Sequence, residues 1–103
     1  MRFYKYLYVG ETIKNVNLVK WKLKHAAGML DVHLITISFN NDDQLDCFHN
    51  GLLKQKIFRN VDYYVVGIAN GREEAISLIQ EITNDCIEAT GTGNIKQYLL
   101  DRF

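Results

Sequence analysis

The stretch VVGIANGREEA, residues 65–75, contains residue types that can hold a phosphate. Its glycines would let backbone N–H groups approach an anion, the start of a helix would attract that anion, and Arg72 could donate a fork of hydrogen bonds. The spacing, however, matches neither G-x-G-x-x-G nor G-x-x-x-x-G-K-[ST]. Glu73 and Glu74 would also complement the helix dipole themselves and repel a phosphate. We therefore expect this turn mainly to start a helix.

Two other polar loops, residues 10–12 and 40–43, follow predicted strands in the same way. If the strands are parallel, the three loops meet at one edge of the sheet, where ligands of open α/β sheets bind. A phosphate-bearing small molecule, bound or turned over at this edge, is then an alternative function. The predicted ligand-binding residues are Glu11, Asn41, Asp42, Asn70, Gly71 and Arg72.

Glu11, Asp42 and Asp43 could also offer hard oxygen ligands to Mg²⁺ at that edge. The simpler interpretation is that the two aspartates lie in the first turn of a helix, where the dipole favours them, and that Glu11 is a solvated loop residue. We therefore expect no metal site and no cofactor.

Cys47 and His49 are the nearest approach to a nucleophile and base in the sequence. Residues two apart on a helix do not face each other, so on the predicted helix they cannot pair. No Ser-His-Asp order and no C-x-x-C spacing is present. We lean towards a protein without catalysis of its own.

The first predicted helix has large apolar and aromatic side chains outside the stripe that would face the core. Leu18, Trp21 and His25 lie together at i, i+3 and i+7, opposite the core stripe and flanked by lysines that include Lys22. A large aromatic rimmed by cations is typical of an interface, and we predict these four residues as one. The alternative is a rotated helix with Trp21 in the core and the lysine stems over apolar surface.

The charges are segregated although the net charge is zero. Residues 1–30 carry six bases and one acid, and residues 31–51 carry four acids and no base. A neutral chain is a poor candidate for non-specific nucleic-acid binding, whereas segregated charges suit contacts between copies. We expect a homo-oligomer, a homodimer in the simplest case, with a protein partner possible. The acidic surface that would receive Trp21 is predicted at Glu81, Asp85 and Glu88.

The segment YLYVGE, residues 6–11, resembles one strand motif of RNA-recognition domains. In that family exposed aromatics of the strand stack on bases, which implies RNA binding through the aromatic first strand. The basic residue, glycine and paired aromatics of the family's second motif are missing here. Single-stranded RNA binding is thus a further alternative function.

Apolar periodicity predicts strands at residues 3–9, 32–39 and 63–69. Helices are predicted at 15–27 with Gly28 as the stop, at 41–58, from 70 to a stop at Gly91, and from 94. An asparagine stands at each predicted helix start: Asn15, Asn41, Asn70 and Asn94.

The order β-α-β-α-β-α-α favours a single α/β domain with a small three-stranded, mainly parallel sheet. The alternative is a ferredoxin-like α+β sandwich, in which part of 45–58 is a strand or loop and 95–100 is the fourth strand. No apolar run is long enough to span a bilayer, no secretory pattern opens the chain, and two isolated cysteines form no disulfide framework. We expect a cytoplasmic protein.

Overall fold

The computed structural model describes residues 1–27 and 30–103, and its elements are named here in chain order. The four strands are β1 (Arg2–Val9), β2 (His33–Ile37), β3 (Leu45–His49) and β4 (Tyr64–Ala69). The four α-helices are α1 (Val16–His25), α2 (Lys56–Arg59), α3 (Arg72–Thr90) and α4 (Ile95–Arg102). A 3₁₀ turn, Asn50–Lys54, joins β3 to α2.

The strands form one mixed sheet in the order β1-β4-β2-β3. β1 runs parallel to β4, whereas β2 is antiparallel to both β4 and β3. The predicted α/β class is confirmed in this coarser form, and the predicted three-stranded, mainly parallel sheet is wrong. Because β2 runs opposite to its neighbour β4, the turn after β2 lies at the opposite end of the sheet from the turns after β1 and β4.

The helix predicted over residues 41–58 is also wrong. Asn40 starts a hairpin turn there, since its side-chain oxygen accepts from the Asp42 N–H at 3.0 Å, and β3 pairs with β2 immediately afterwards. Further on, the His49 ring accepts from the Gly51 N–H and the Asn50 side-chain oxygen accepts from the Val32 N–H, both at 2.9 Å. The Asn40 and His49 bonds are local and compete with helix formation, whereas the Asn50 bond joins this segment to the residue before β2.

The ferredoxin-like alternative is right that 45–58 contains a strand, but residues 95–100 lie in α4 and not in a fourth strand. Asn94 caps α4 by accepting from the Gln97 N–H at 3.4 Å. Asn15 likewise caps α1 through the Leu18 N–H, and Gly91 ends α3 with a φ of 72°. These ends are confirmed, whereas the predicted stop at Gly28 lies outside the described residues.

Helices cover both faces of the sheet. On one face, α3 and α4 bury an apolar cluster with β1, β2 and β4: Tyr4, Ile35, Ile37, Val66, Ala69, Ala75, Leu78, Ile82, Cys86, Ile95 and Leu99. On the other face, α1 and the 3₁₀ turn bury a second cluster: Val19, Leu23, Val32, Leu34, Leu53, Tyr63, Val65 and Ile68. The radius of gyration, 13.2 Å, is that of one compact domain of this length.

Among residues 1–27 and 30–103, no helix has both the length and the apolarity needed to cross a membrane.

Candidate functional site

The predicted phosphate-binding turn is filled by a carboxylate of the chain itself. β4 ends at Ala69, Gly71 adopts a φ of 97°, and α3 begins at the next residue. Glu74 then folds back: one carboxylate oxygen accepts from the Asn70 N–H at 2.8 Å, and the other accepts from the Thr12 hydroxyl at 2.7 Å. Glu74 therefore already uses the Asn70 N–H and the Thr12 hydroxyl, two donors that an anion at this turn could otherwise bind.

This contact joins the end of β1 to the start of α3. A Cβ on Gly10 would lie 1.6 Å from the Glu74 carboxylate oxygen, so only glycine leaves room for it. The Asn70 N–H, followed by the two donors of Thr12, holds the pKa of Glu74 below its ordinary value. Glu74 is thus a structural anion at the helix start.

The predicted ligand residues separate into three places. Glu11 and Asn70 line one groove of about 580 Å³ between the end of β1 and α3. Arg72, one residue after Gly71, lines a different groove beside β3. Asn41 and Asp42 lie in the β2–β3 turn at the far end of the sheet. The predicted grouping of all six residues is wrong, because it required β2 to run parallel to β1 and β4.

The groove that contains Arg72 brings together groups that the sequence kept apart. Because β3 is a strand, Cys47 and His49 share one face, and His33 on β2 pairs with His49. The two imidazole rings meet edge to face at 5.4 Å. The predicted helix placed Cys47 and His49 on different faces, so this group was missed. Reading LDCFH with the period of two that is typical of a strand would have placed them on one face.

Neither His49 nor Cys47 in that groove is in a strongly reactive form. The Nδ1 atom of His49 accepts from the Gly51 N–H, so the proton lies on Nε2, which donates to the Asp31 carboxylate at 2.6 Å. Burial raises the pKa of the Cys47 thiol, and Arg72 only partly offsets this. A protonated thiol is a weak nucleophile. Within the described ranges, no three His, Cys, Asp or Glu side chains are placed to hold a metal ion.

The tyrosines of β1 are mostly covered by helices. Tyr4 is only 3% exposed, and its ring packs between those of Tyr8 and Phe103. The Tyr8 hydroxyl donates to Asp85 on α3, and burial together with this bond raises the pKa of Tyr8. Of the three tyrosines of β1, only Tyr6 is exposed. The geometry therefore gives no open aromatic face of the RNA-recognition kind.

The aromatic patch of α1 does face outward. Val19 and Leu23 are buried, whereas Leu18 is 44% and Trp21 52% exposed, so the alternative with Trp21 in the core is wrong. The Trp21 and His25 rings stack at 4.4 Å, and His25 Nδ1–H donates to the Trp21 carbonyl at 2.8 Å. The patch is thus held in place by the helix itself.

The lysines around this patch have different surroundings. The ammonium groups of Lys20 and Lys24 lie 5.3 and 5.4 Å from the ring centroid of Phe3 on β1, within cation–π range. Lys22, the predicted interface residue, is half-buried and lines a small pocket under α1 with Leu53. Lys22 therefore points under the helix, whereas the half-buried Lys20 and the exposed Lys24 hold their ammonium groups over Phe3.

The acidic residues predicted as the receiving surface also separate. Glu81 lines the same groove as Glu11, together with Glu73 and the tied Glu74. Asp85 is half-buried and accepts from Tyr8, while Glu88 is exposed further along α3. The strongest concentration of carboxylates is thus the groove between β1 and α3, which we call the acidic groove, with its free members Glu11, Glu73 and Glu81.

Comparison of the chain with models of known families, with curated proteins and with solved structures finds no match.

Proposed function

We propose that this protein is a non-catalytic cytoplasmic interaction domain that self-associates through α1. The main support for the proposal is the exposed stack of Trp21 and His25. A helix face that contacts only solvent does not require a half-exposed tryptophan that is fixed by ring stacking. Tryptophan is enriched among the residues that dominate protein interfaces. The two free thiols fit a reducing compartment.

The occupant of the α1 patch is the acidic groove of a second copy. Lys20 and Lys24 border the patch, while Glu11, Glu73 and Glu81 border the groove, so the two surfaces have opposite charge. The groove also has an apolar floor, Val9 and Leu78, that can receive an aromatic ring. Charge complementarity of this kind orients partners and speeds their encounter.

The positions of the two proposed surfaces favour a head-to-tail assembly. α1 packs on one face of the sheet, and α3, which forms one wall of the acidic groove, packs on the other. Contacts between opposite faces are head-to-tail, and these build open chains or rings instead of closed two-fold pairs. This departs from the homodimer that the sequence suggested.

Sedimentation of the full chain over a micromolar concentration series tests the proposal. We expect self-association that weakens with salt, and Trp21→Ala should raise the dissociation constant about thirty-fold, as for a hot-spot tryptophan. Leu100→Ala, a similarly exposed leucine on α4, is the matched control and should change nothing.

Charge reversal identifies the groove. Lys24→Glu or Glu81→Lys alone should weaken association, and mixing the two variants should restore it. A chain that stays monomeric throughout, or a Trp21→Ala variant that associates like the wild type, contradicts the proposal.

A further inference from the structure

We propose a second, independent contact: β3 pairs antiparallel with β3 of another copy, about a two-fold axis at Cys47. β3 is the last strand of the sheet order, and β2 occupies only one of its sides. Among residues 1–27 and 30–103, no backbone hydrogen bond from another element reaches its other side. This contact does not depend on the α1 patch.

The hydrogen-bond pattern shows which backbone groups the open side presents. The Asn50 N–H donates to the Val32 carbonyl at 2.9 Å, and the Ser38 N–H donates to the Gln44 carbonyl at 3.3 Å. Hydrogen-bonded pairs alternate in an antiparallel ladder, so the even-numbered residues of β3 bond to β2. The odd-numbered residues, Leu45, Cys47 and His49, point their N–H and C=O groups outward.

This edge lacks three features that often prevent strand pairing: a bulge, a proline and a lysine. All five residues of β3 pair with β2 in continuous register, without a bulge. The strand contains no proline and no lysine, and its one Asp, Glu, Lys or Arg residue is Asp46. Proteins normally block an edge with a bulge, a proline or a lysine.

Register and charge favour a second copy of β3 as the occupant. Three outward residues spaced by two can pair with the same three residues of a second copy. With the two-fold axis at Cys47, this residue pairs with the partner's Cys47. Leu45 of each copy then pairs with His49 of the other. This register uses every outward N–H and C=O group. Centring on Asp46 would instead place two carboxylates directly opposite each other, which is destabilising.

Apolar side chains beside the edge would gain from the pairing. Phe48 and Asp46 face the α1 side of the sheet, where an open groove of about 440 Å³ carries several exposed or half-buried rings. The aromatic residues that line it are Phe39, Phe48, Phe58 and Tyr63. Across the two-fold axis this groove would continue into its copy and bury apolar area on both sides.

A charge swap at the axis tests both the contact and its register. Cys47 is exposed, so a lysine or aspartate side chain fits there. Thermal unfolding of each variant is the check that it folds. All variants carry Trp21→Ala, which removes the α1 contact and separates this test from the previous one. In that background we expect Cys47→Ser to dimerise, and Cys47→Lys and Cys47→Asp each to bind themselves roughly ten-fold more weakly.

Mixing the lysine and aspartate variants should restore the dimer, because only a two-fold axis at residue 47 places the two side chains opposite each other. Tyr6→Lys, on the other edge of the sheet, is the control and should dimerise normally. Three outcomes overturn the proposal: a monomeric Trp21→Ala chain at every concentration, undiminished dimers of Cys47→Lys, or no heterodimer in the mixture. The first outcome would leave the edge free for an unrelated extended peptide.

Discussion

The two edge strands of this sheet are built in opposite ways. Between Phe3 and Tyr8, β1 advances five residues while its neighbour β4 advances two, so β1 bulges away from a regular ladder. β3 advances one for one with β2 and has no bulge. A broken register prevents a strand from templating another, whereas a regular one allows it. The irregular register of β1 therefore disfavours pairing with another strand, whereas the regular register of β3 allows it.

The same contrast holds for how each edge is fixed to the domain. Tyr4 of β1 is buried, Tyr8 bonds to Asp85, and Thr12 just beyond the strand bonds to Glu74. The far end of β3 is held mainly by the exposed pair of His49 and Asp31. Stability should therefore be concentrated at β1 and association at β3.

The largest expected effect is on the buried anchor of β1. Tyr4→Ala should lower the free energy of unfolding by about 3–5 kcal/mol, as for other buried aromatics, because the cavity lies between α3, α4 and the sheet. Phe48→Ala, the half-buried counterpart on β3, should cost about 1–2 kcal/mol. Urea titration measures both. Equal losses at the two edges would remove the proposed asymmetry.

Tyr8→Phe should cost about 1–2 kcal/mol, because it removes a hydrogen bond to a carboxylate and keeps the ring. Tyr6→Phe, on the exposed side, should be neutral.

The same bond predicts a dependence on alkaline pH. Since the folded-state pKa of Tyr8 is raised above its ordinary value of 10.0, its stabilisation is complete below pH 10 and is lost as the pH rises towards the folded-state pKa. Unfolding measured between pH 8 and 11 should show wild-type stability falling towards that of Tyr8→Phe. Parallel pH profiles for the two proteins would contradict the assignment.

Glu74→Gln should cost about 1 kcal/mol at pH 7, because the charge-assisted bonds at the end of β1 are weakened. The pKa of Glu74 is lowered, so this stabilisation is present above the ordinary value of 4.5 and is lost as the pH falls through the lowered pKa. The gap between variant and wild type should therefore narrow below pH 4.5. Glu73→Gln removes the same formal charge without those bonds and should show a smaller gap.

The smallest effect concerns amide exchange at the open edge. In dilute Trp21→Ala protein, the amides of Leu45, Cys47 and His49 should exchange quickly, while those of Asp46 and Phe48 stay protected by β2. Raising the protein concentration should slow only the first three. Slow exchange of all five amides at every concentration would show that the edge is covered within one molecule.

Parts of this architecture could be predicted from sequence because one local signal controlled them. The α3 stripe and its stop at Gly91 follow a helical period and a left-handed glycine, and Trp21 lies opposite a clear core stripe. Strand direction follows no such signal. Leu45, Phe48 and Leu52 have helical spacing, yet bonds made by the side chains of His49 and Asn50 turn the segment into a strand and a 3₁₀ turn.

The candidate sites show the same limit. The positions of Glu73 and Glu74 in the first turn of a helix can be predicted from sequence, because the helix dipole favours acidic residues there. The bond from Glu74 to Thr12, 62 residues earlier, depends on β1 lying parallel to β4, which no local pattern encodes. The neighbourhood of His33, Cys47 and Arg72 likewise exists only once the hairpin has formed.

Glu74 behaves as a ligand that the chain supplies to itself. Because this carboxylate is tethered next to its donors, a dissolved phosphate or sulfate would have to compete with an effective concentration of millimolar or above. We therefore expect such anions to bind weakly at this turn, where the Glu74 carboxylate joins the loops after β1 and β4. Shortening the Glu74 side chain would release these donors, but we expect Glu11, Glu73 and Glu81, which line the same groove, still to repel a dissolved anion.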